Sequence, residues 1–298
     1  VFFRGVVTAL VVATLLSGAA CADQEVDPRA KIPEDEPRYS APQIVGRIQI
    51  EDLMELSGLT ASIERPGRLW AHNDSGGDPI LFCMRRSGAS CGRVRLRDAE
   101  SVDWEDIAIR RVGDEGTLYV ADIGDNERVR DFITIYRLAE PTDGTRAASA
   151  ERFDLSFPRR AFDAEAIIVE PKTEDLYVVT KDFAGRPDVF VARGPLGSHP
   201  TLEPVGSVSL AGPVAVVTGA SLAPTGDRIV LSTYASGYEL ALPEGEPFDE
   251  IWSQTPIAVP LGSHPQGEAV AYLRSGDIVS GSEGLSSPIY AVEYLARP

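Results

Sequence analysis

Five times along 298 residues, a short apolar segment opening on a Gly, Ala or Glu is followed about ten residues later by a second apolar segment ending in polar residues. The copies read SGLTAS then RLWAHNDSG, WEDIAI then TLYVADIGDN, AEAIIV then DLYVVTKD, GASLAP then RIVLSTY, and GEAVAY then DIVSGSEG. Aligned on Gly58, Glu105, Glu165, Ala220 and Glu268, they recur at intervals of 47, 60, 55 and 48 residues. A repeat of roughly 40 to 50 residues built from alternating, β-branched strands is the pattern of a four-stranded propeller blade. The chain is therefore expected to be all-β, a β-propeller of five blades. Six is the alternative if the long interval after Glu105 hides further strands. The polar stretch EPTDGTRAASAER in that interval reads as a loop, which favours five. One further blade length is shared between the chain ends, so the strand QIVGRIQI (Gln43 to Ile50) is expected to complete the last blade beside PIYAVEYL and close the ring. Closure removes the two exposed sheet edges that an open array would leave, and a closed ring is expected to be a monomer.

The amino-terminal region reads as an address. Arg4 precedes the apolar run Gly5 to Leu16, which is too short to span a bilayer but suits a signal peptide over residues 1–20. LLSGAAC then resembles a bacterial lipobox, departing from it at Gly18, and makes Cys21 the lipidation candidate. Cleavage at Ala20-Cys21-Ala22, releasing a soluble secreted protein, is the alternative. Residues 21–42 are acidic and proline-rich and read as a disordered tether, leaving residues 43–298 as the propeller domain. The expected location is extracytoplasmic, held to the membrane only through that lipid. Cys83 and Cys91 flank the turn RRSGAS and suit a hairpin disulfide in an oxidising compartment, with two buried thiols as the alternative.

With 45 acidic against 28 basic residues, the net charge of −17 excludes a phosphate-binding nucleic-acid surface, which needs clustered Lys and Arg. Serine-hydrolase elbow, P-loop, dinucleotide and zincin motifs are absent, as is any C-x-x-C pair. What the repeat brings together is carboxylate. Glu105, Glu165 and Glu268 share the pivot position, and Asn73 with Asp74, Asp122, Lys181, Tyr234 and Glu283 fall at the ends of the second strands. Asp103, Asp106, Asp125, Asn126 and Asp163 lie beside them.

Such a set cannot ionise cheaply in one channel without a counter-charge. Calcium held by Glu105, Glu165, Glu268 and Asp122 is one solution, and Lys181, Arg110 or Arg186 are internal ones. The catalytic candidates are Glu165, His72 and Lys181; the ligand-binding candidates are Asn73, Asp74, Trp104, Tyr234 and Glu283. Asp and Asn in sequences such as DSGG and GDN also cap turns, so Asp125 and Asn126 are read as structural. Trp70, Tyr119 and Tyr177 share one repeat position and are read as blade-packing aromatics.

SGLTAS, W-x-HNDSG, DWEDIA, YVADIGDN, DAEA, VVTKD and QGEAVAY together resemble a group of secreted or lipid-anchored bacterial propellers. More distantly the chain is similar to the SdiA-regulated and esterase-like phytase propellers. The resemblance covers residues 50–295 and implies the fold; it carries no reaction with it. The expected function is binding of a metal ion, a small ligand or both in an acidic central channel. The alternatives are calcium-dependent hydrolysis of an ester, lactone, phosphoester or glycoside, and a protein-interaction module of the cell envelope.

Overall fold

The computed structural model describes residues 38–212 and 214–295. The expected signal peptide, the Cys21 anchor and residues 21–37 of the tether lie outside them. Every regular element but one six-residue 3-10 turn (Phe248–Ser253) is a strand.

Five antiparallel sheets follow one another along the chain. The first contains β2 (Leu56–Ala61), β3 (Arg68–Asn73), β4 (Ile80–Arg85) and β5 (Ser90–Arg97). The second contains β6 (Trp104–Val112), β7 (Glu115–Asp122), β8 (Ile133–Ala139) and β10 (Glu151–Leu155). The third runs through β11 (Ala164–Val169), β12 (Leu176–Thr180), β13 (Asp188–Ala192) and β14 (Glu203–Ser207). The fourth is β15 (Val217–Leu222), β16 (Arg228–Thr233), β17 (Gly237–Ala241) and β18 (Ile257–Val259). The fifth is β19 (Gly267–Tyr272), β20 (Ile278–Ser282) and β21 (Pro288–Val292), completed by β1 (Gln43–Arg47). The first strand of each sheet packs against the first strands of its neighbours around the ring. This is a five-bladed β-propeller.

Closure follows the expected route. β1 pairs antiparallel with β21, Gln43 opposite Ala291 and Arg47 opposite Pro288. The folded chain begins earlier than the expected boundary at residue 43, because Tyr39 bridges to Tyr294 and is buried. The stretch after Glu140 also differs from a plain polar loop. Within it β9 (Ala147–Ser149) crosses to the first blade and pairs parallel with β5, giving that sheet a fifth strand. Its Ala-Ala-Ser sequence has no side chain large enough to signal a strand; the pairing is made by backbone alone. A disulfide joins Cys83 on β4 to Cys91 on β5 across the turn between them.

Each innermost strand carries a β-bulge near its start, where one extra residue faces the second strand. The bulges fall at Ser57-Gly58, Glu105, Glu165, Thr218 and Glu268. In the fourth blade the equivalent of the glutamates is thus Thr218, two residues before Ala220; alignment on small residues alone had no means of seeing the shift. The extra residue turns its side chain out of the alternating pattern, which is why a carboxylate can stand there inside a strand.

Four seams between blades repeat one device: a buried aromatic whose polar tip meets a carboxylate of an adjacent blade, backed by arginine. Trp70 Nε1 donates to Glu140 Oε1 (3.0 Å), with Arg65 beside it. Tyr119 donates to Glu174 (2.7 Å), flanked by Arg137 and Arg110. Tyr177 donates to Asp249 (2.5 Å), which Arg193 also grips. At the fourth seam Glu239 of β17, wholly buried, accepts from Tyr272 (2.7 Å) of β19 and from Tyr39, with Arg228 and Arg38 as counter-ions at 3.4 and 3.2 Å. The aromatics are packing residues, as their repeat position implies. Their hydroxyl and indole tips make the seams specific.

Removing one partner from a buried, fully bonded charge cluster strands the others. Glu239→Ala is expected to cost about 3 to 5 kcal/mol in chemical denaturation, because Arg228 and two hydroxyls lose their acceptor. Arg38→Ala, whose side chain is half-exposed, is expected to cost less than about 1 kcal/mol. Equal losses would show that the network is uniformly wet.

Candidate functional site

All five innermost strands begin on the same face of the ring, and the second strands end there. That face therefore collects the bulge residues, the residues just before them and the loops between second and third strands. Its centre is an acidic mouth. One oxygen each of Asp74, Asp103 and Glu105 lie within 4.8 Å of one another, and so do those of Glu105, Asp163 and Glu165. Glu105 is common to both triads. Glu105, Asp163 and Glu165 are buried, and Asp74 and Asp103 are partly so.

The two triads differ in counter-charge. Lys181 Nζ lies 2.5 Å from Glu165 Oε1 and 3.9 Å from Asp163 Oδ2, so the second triad has an ammonium of its own. Burial alone would lower Lys181, but Glu165 outweighs it and the lysine stays charged. Asp163 is oriented further by the amide of Asp125, which donates to its Oδ1 (2.9 Å). No ammonium or guanidinium sits within ion-pair distance of Asp74, Asp103 or Glu105 among the described residues. Oδ1 of Asp74 is buried and, apart from the Asp103 carboxyl beside it, has no hydrogen-bond partner among the described residues.

The carboxyls answer this crowding by holding protons. Burial, followed by the charges of Asp103, Glu283 and Glu55, pushes Asp74 up to about 7. Burial and Asp163 raise Asp103, and burial and Glu165 raise Glu105. Glu268, which accepts from Gln266 Nε2 at 2.8 Å, is pushed up to about 7 chiefly by burial. Burial raises Glu165 as well, with Lys181 pulling the other way. Tyr234 completes the rim, its hydroxyl raised by burial and by Glu268, Glu165 and Glu105 despite Lys181. Glu283 stands near Asp74 and Glu268.

Room for the first triad comes from a glycine. A Cβ on Gly124 would lie 2.3 Å from both Asp103 Oδ2 and Glu105 Oε1, so the DIGDN loop can pass this close only without a side chain. In sequence Gly124 reads as a turn glycine, and Gln266 as a loop residue; neither carries a signal of its neighbours.

Other expected site residues have different work. Asp122 stands apart from the triads: its oxygens accept from the amides of Val102 (3.2 Å) and Asp103 (3.1 Å) and from Arg130 (2.7 Å), fixing the segment that presents Asp103. Asn73 ties the preceding loop, donating to Asp52 O (2.7 Å) and accepting from Glu55 N (3.1 Å). Trp104 is 1% exposed, packed edge-on to His72 and bonded to Glu100 O, so it lies in the blade interior and not at the channel mouth. His72 is fully buried, with Nδ1 2.8 Å from Asn73 O, and burial pushes its pKa down to about 4. A Cβ on Gly58 would lie 2.1 Å from its Nε2. The first blade therefore puts a neutral imidazole against glycine where the second, third and fifth blades put a carboxylate. Asp125 caps its own loop, accepting from Val129 N and Arg130 N.

No family model and no curated protein matches the chain. Similar solved structures include the hydrazine synthase of Kuenenia stuttgartiensis, at 16% identity over 78% of this chain and 57% of that one, with a TM-score of 0.40. A candidate 6-phosphogluconolactonase of Bacteroides uniformis is 16% identical over 78% of this chain and 66% of that one, with a TM-score of 0.40. U3-55K is 11% identical over 85% and 98%, with a TM-score of 0.42. The chain thus spans less than two thirds of the first two proteins. Likeness at this level extends to no substrate, metal or partner.

Proposed function

We propose that the acidic mouth holds a divalent cation, calcium being the ion its all-oxygen donor set suits. Asp74, Asp103 and Glu105 are its ligands. The observation that carries this reading is the buried Oδ1 of Asp74, unbonded outside its own triad, which lacks an internal cation, beside a second triad that has Lys181. A bound ion would replace protons on the first triad and leave Lys181 and Tyr234 at the rim to receive a small, oxygen-bearing ligand. With the anchoring proposed for Cys21, the site would work outside the cytoplasm, where extracellular calcium modules operate at about 10⁻⁴ to 10⁻³ M.

Hydrolysis of an ester, lactone or phosphoester is the second reading. It is favoured by Glu268, a carboxyl that keeps its proton near neutrality and could protonate a leaving group beside a Lewis-acidic ion.

Calcium added to chelator-treated protein is expected to bind one per chain and to raise the melting temperature. Glu105→Gln and Gly124→Ala are each expected to weaken that binding by about tenfold or more, the second by crowding the triad without changing its charge. Absence of calcium heat in calorimetry, with melting unchanged by chelator, would reject the site. Proton linkage gives an independent reading. Asp74 and Glu268 have folded-state values near 7 against about 4 in the unfolded chain. Their contribution to stability is therefore full below about pH 4 and lost as pH rises through about 7. The metal-free melting temperature is expected to fall between about pH 4 and 7 and to level off above that, and saturating calcium to flatten that fall. Melting curves that shift equally with and without calcium would count against the ion taking the protons' place.

A further inference from the structure

The channel has a second mouth of opposite character. The carboxyl-terminal halves of the same five innermost strands surround an open-mouthed hollow with about 80 Å³ of space available to the centre of a water molecule. Ala61, Ile109, Val169 and Leu222 are among its apolar walls, and Arg111 and Arg274 stand at its rim. Among the described residues no carboxylate lines it, in a chain where acids outnumber bases 45 to 28. Arg111 is already held by Asp114 at 3.0 Å. Arg274 is exposed and forms no ion pair among the described residues. Small residues create the space: Ala61, Ala108, Ser221 and Ala223 take positions where larger side chains would fill the axis. Each innermost strand is also the terminal strand of its sheet, so backbone N–H and C=O groups not used in pairing run around the hollow.

A mostly apolar concave hollow with a few convergent polar groups is the form of a small-molecule site. We propose that this mouth binds a small amphipathic carboxylate, its hydrocarbon body inside the hollow and its anionic head against Arg274 and Arg111. Charge complementarity selects this occupant. A cation would meet two guanidiniums with Asp114 already engaged by Arg111, and a neutral apolar molecule would leave Arg274 unanswered. The acidic mouth cannot serve the same ligand, because its carboxylates repel an anion unless a metal intervenes. The site is thus independent of the cation site proposed above.

The test is calorimetric titration of the chelator-treated protein with octanoate, below its micelle concentration, beside octanol and octylammonium. One octanoate per chain is expected, with both other compounds at least about tenfold weaker. The double variant Arg111→Ala/Arg274→Ala, at the exposed rim, is expected to weaken octanoate by about fivefold or more and to bring it level with octanol. Ala108→Leu is expected to block all three by filling the hollow, with an unchanged melting temperature showing that the ring is intact. Glu105→Gln is expected to leave octanoate binding as it was. The proposal is overturned by the lack of saturable binding up to about 1 mM, by equal affinity for octanoate and octanol in the parent protein, or by an arginine double variant that binds octanoate unchanged. Loss of octanoate binding in Glu105→Gln would also overturn it, by moving the carboxylate to the other mouth.

Discussion

One carboxylate on the axis holds the centre of the ring. Asp106 follows the Glu105 bulge on β6, and the irregularity there lets it reach inward. Its Oδ2 accepts from Ile167 N (2.9 Å) in the third blade and from Ala220 N (3.3 Å) across the axis in the fourth, while Oδ1 accepts from Ile107 N (2.8 Å). Innermost strands have one edge without a β partner, and amides facing a channel too narrow for bulk water need an acceptor. Burial pushes Asp106 up to about 7 against the pull of those three amides. The complementary need, of carbonyls for a donor, is met by hydroxyls: Ser57 donates to Glu105 O, and Thr218 and Ser232 donate to the carbonyls of Gly267 and Glu268. The bulge positions are therefore the points at which blades are tied to one another, whether or not their side chains also serve a ligand.

That axial tie divides the channel. Asp103 and Glu105, with Asp163 and Glu165 of the third blade, open toward one face; Ile107, Ala108 and Ile109, with Arg111 at the rim, open toward the other. A single strand, β6, carries both chemistries within nine residues, with Asp106 between them. Two ligands of opposite charge could occupy such a channel without meeting.

The fold was legible because blade repetition leaves a period, and because ring closure demands a strand from the amino-terminal side to pair with β21. The acidic set was legible for the same reason, since equivalent positions in a ring must converge. Individual roles were less so. Asp122 and Glu105 both sit at strand ends near the axis, yet one faces two amides and a guanidinium and the other faces carboxylates. Repeat alignment gives position around the ring, not the direction of a side chain at a bulge. Trp104 illustrates the point: adjacent to Glu105 in sequence, it points into the blade. The seam clamps were hidden differently. Glu140, Glu174, Asp249 and Glu239 occupy four unrelated places in their blades, so no period exposes them.

Arginine use separates the seam acids from the axial acids in this protein. Glu140, Glu174, Asp249 and Glu239 each have a guanidinium within ion-pair distance, and so has Asp122. Among the described residues, the acids of the two central triads have one cation within ion-pair distance, Lys181. Desolvated carboxylates without counter-charge lower the stability of a metal-free fold as pH rises, so a chain selected for stability alone would have neutralised them as it did at the seams. Nearby arginines would have been easy donors, since Arg130 already reaches Asp122 within the same loop. Leaving Asp74, Asp103 and Glu105 unmatched is a cost that a bound cation removes, and this asymmetry between seam and axis is the physical ground for reading the acidic mouth as a site.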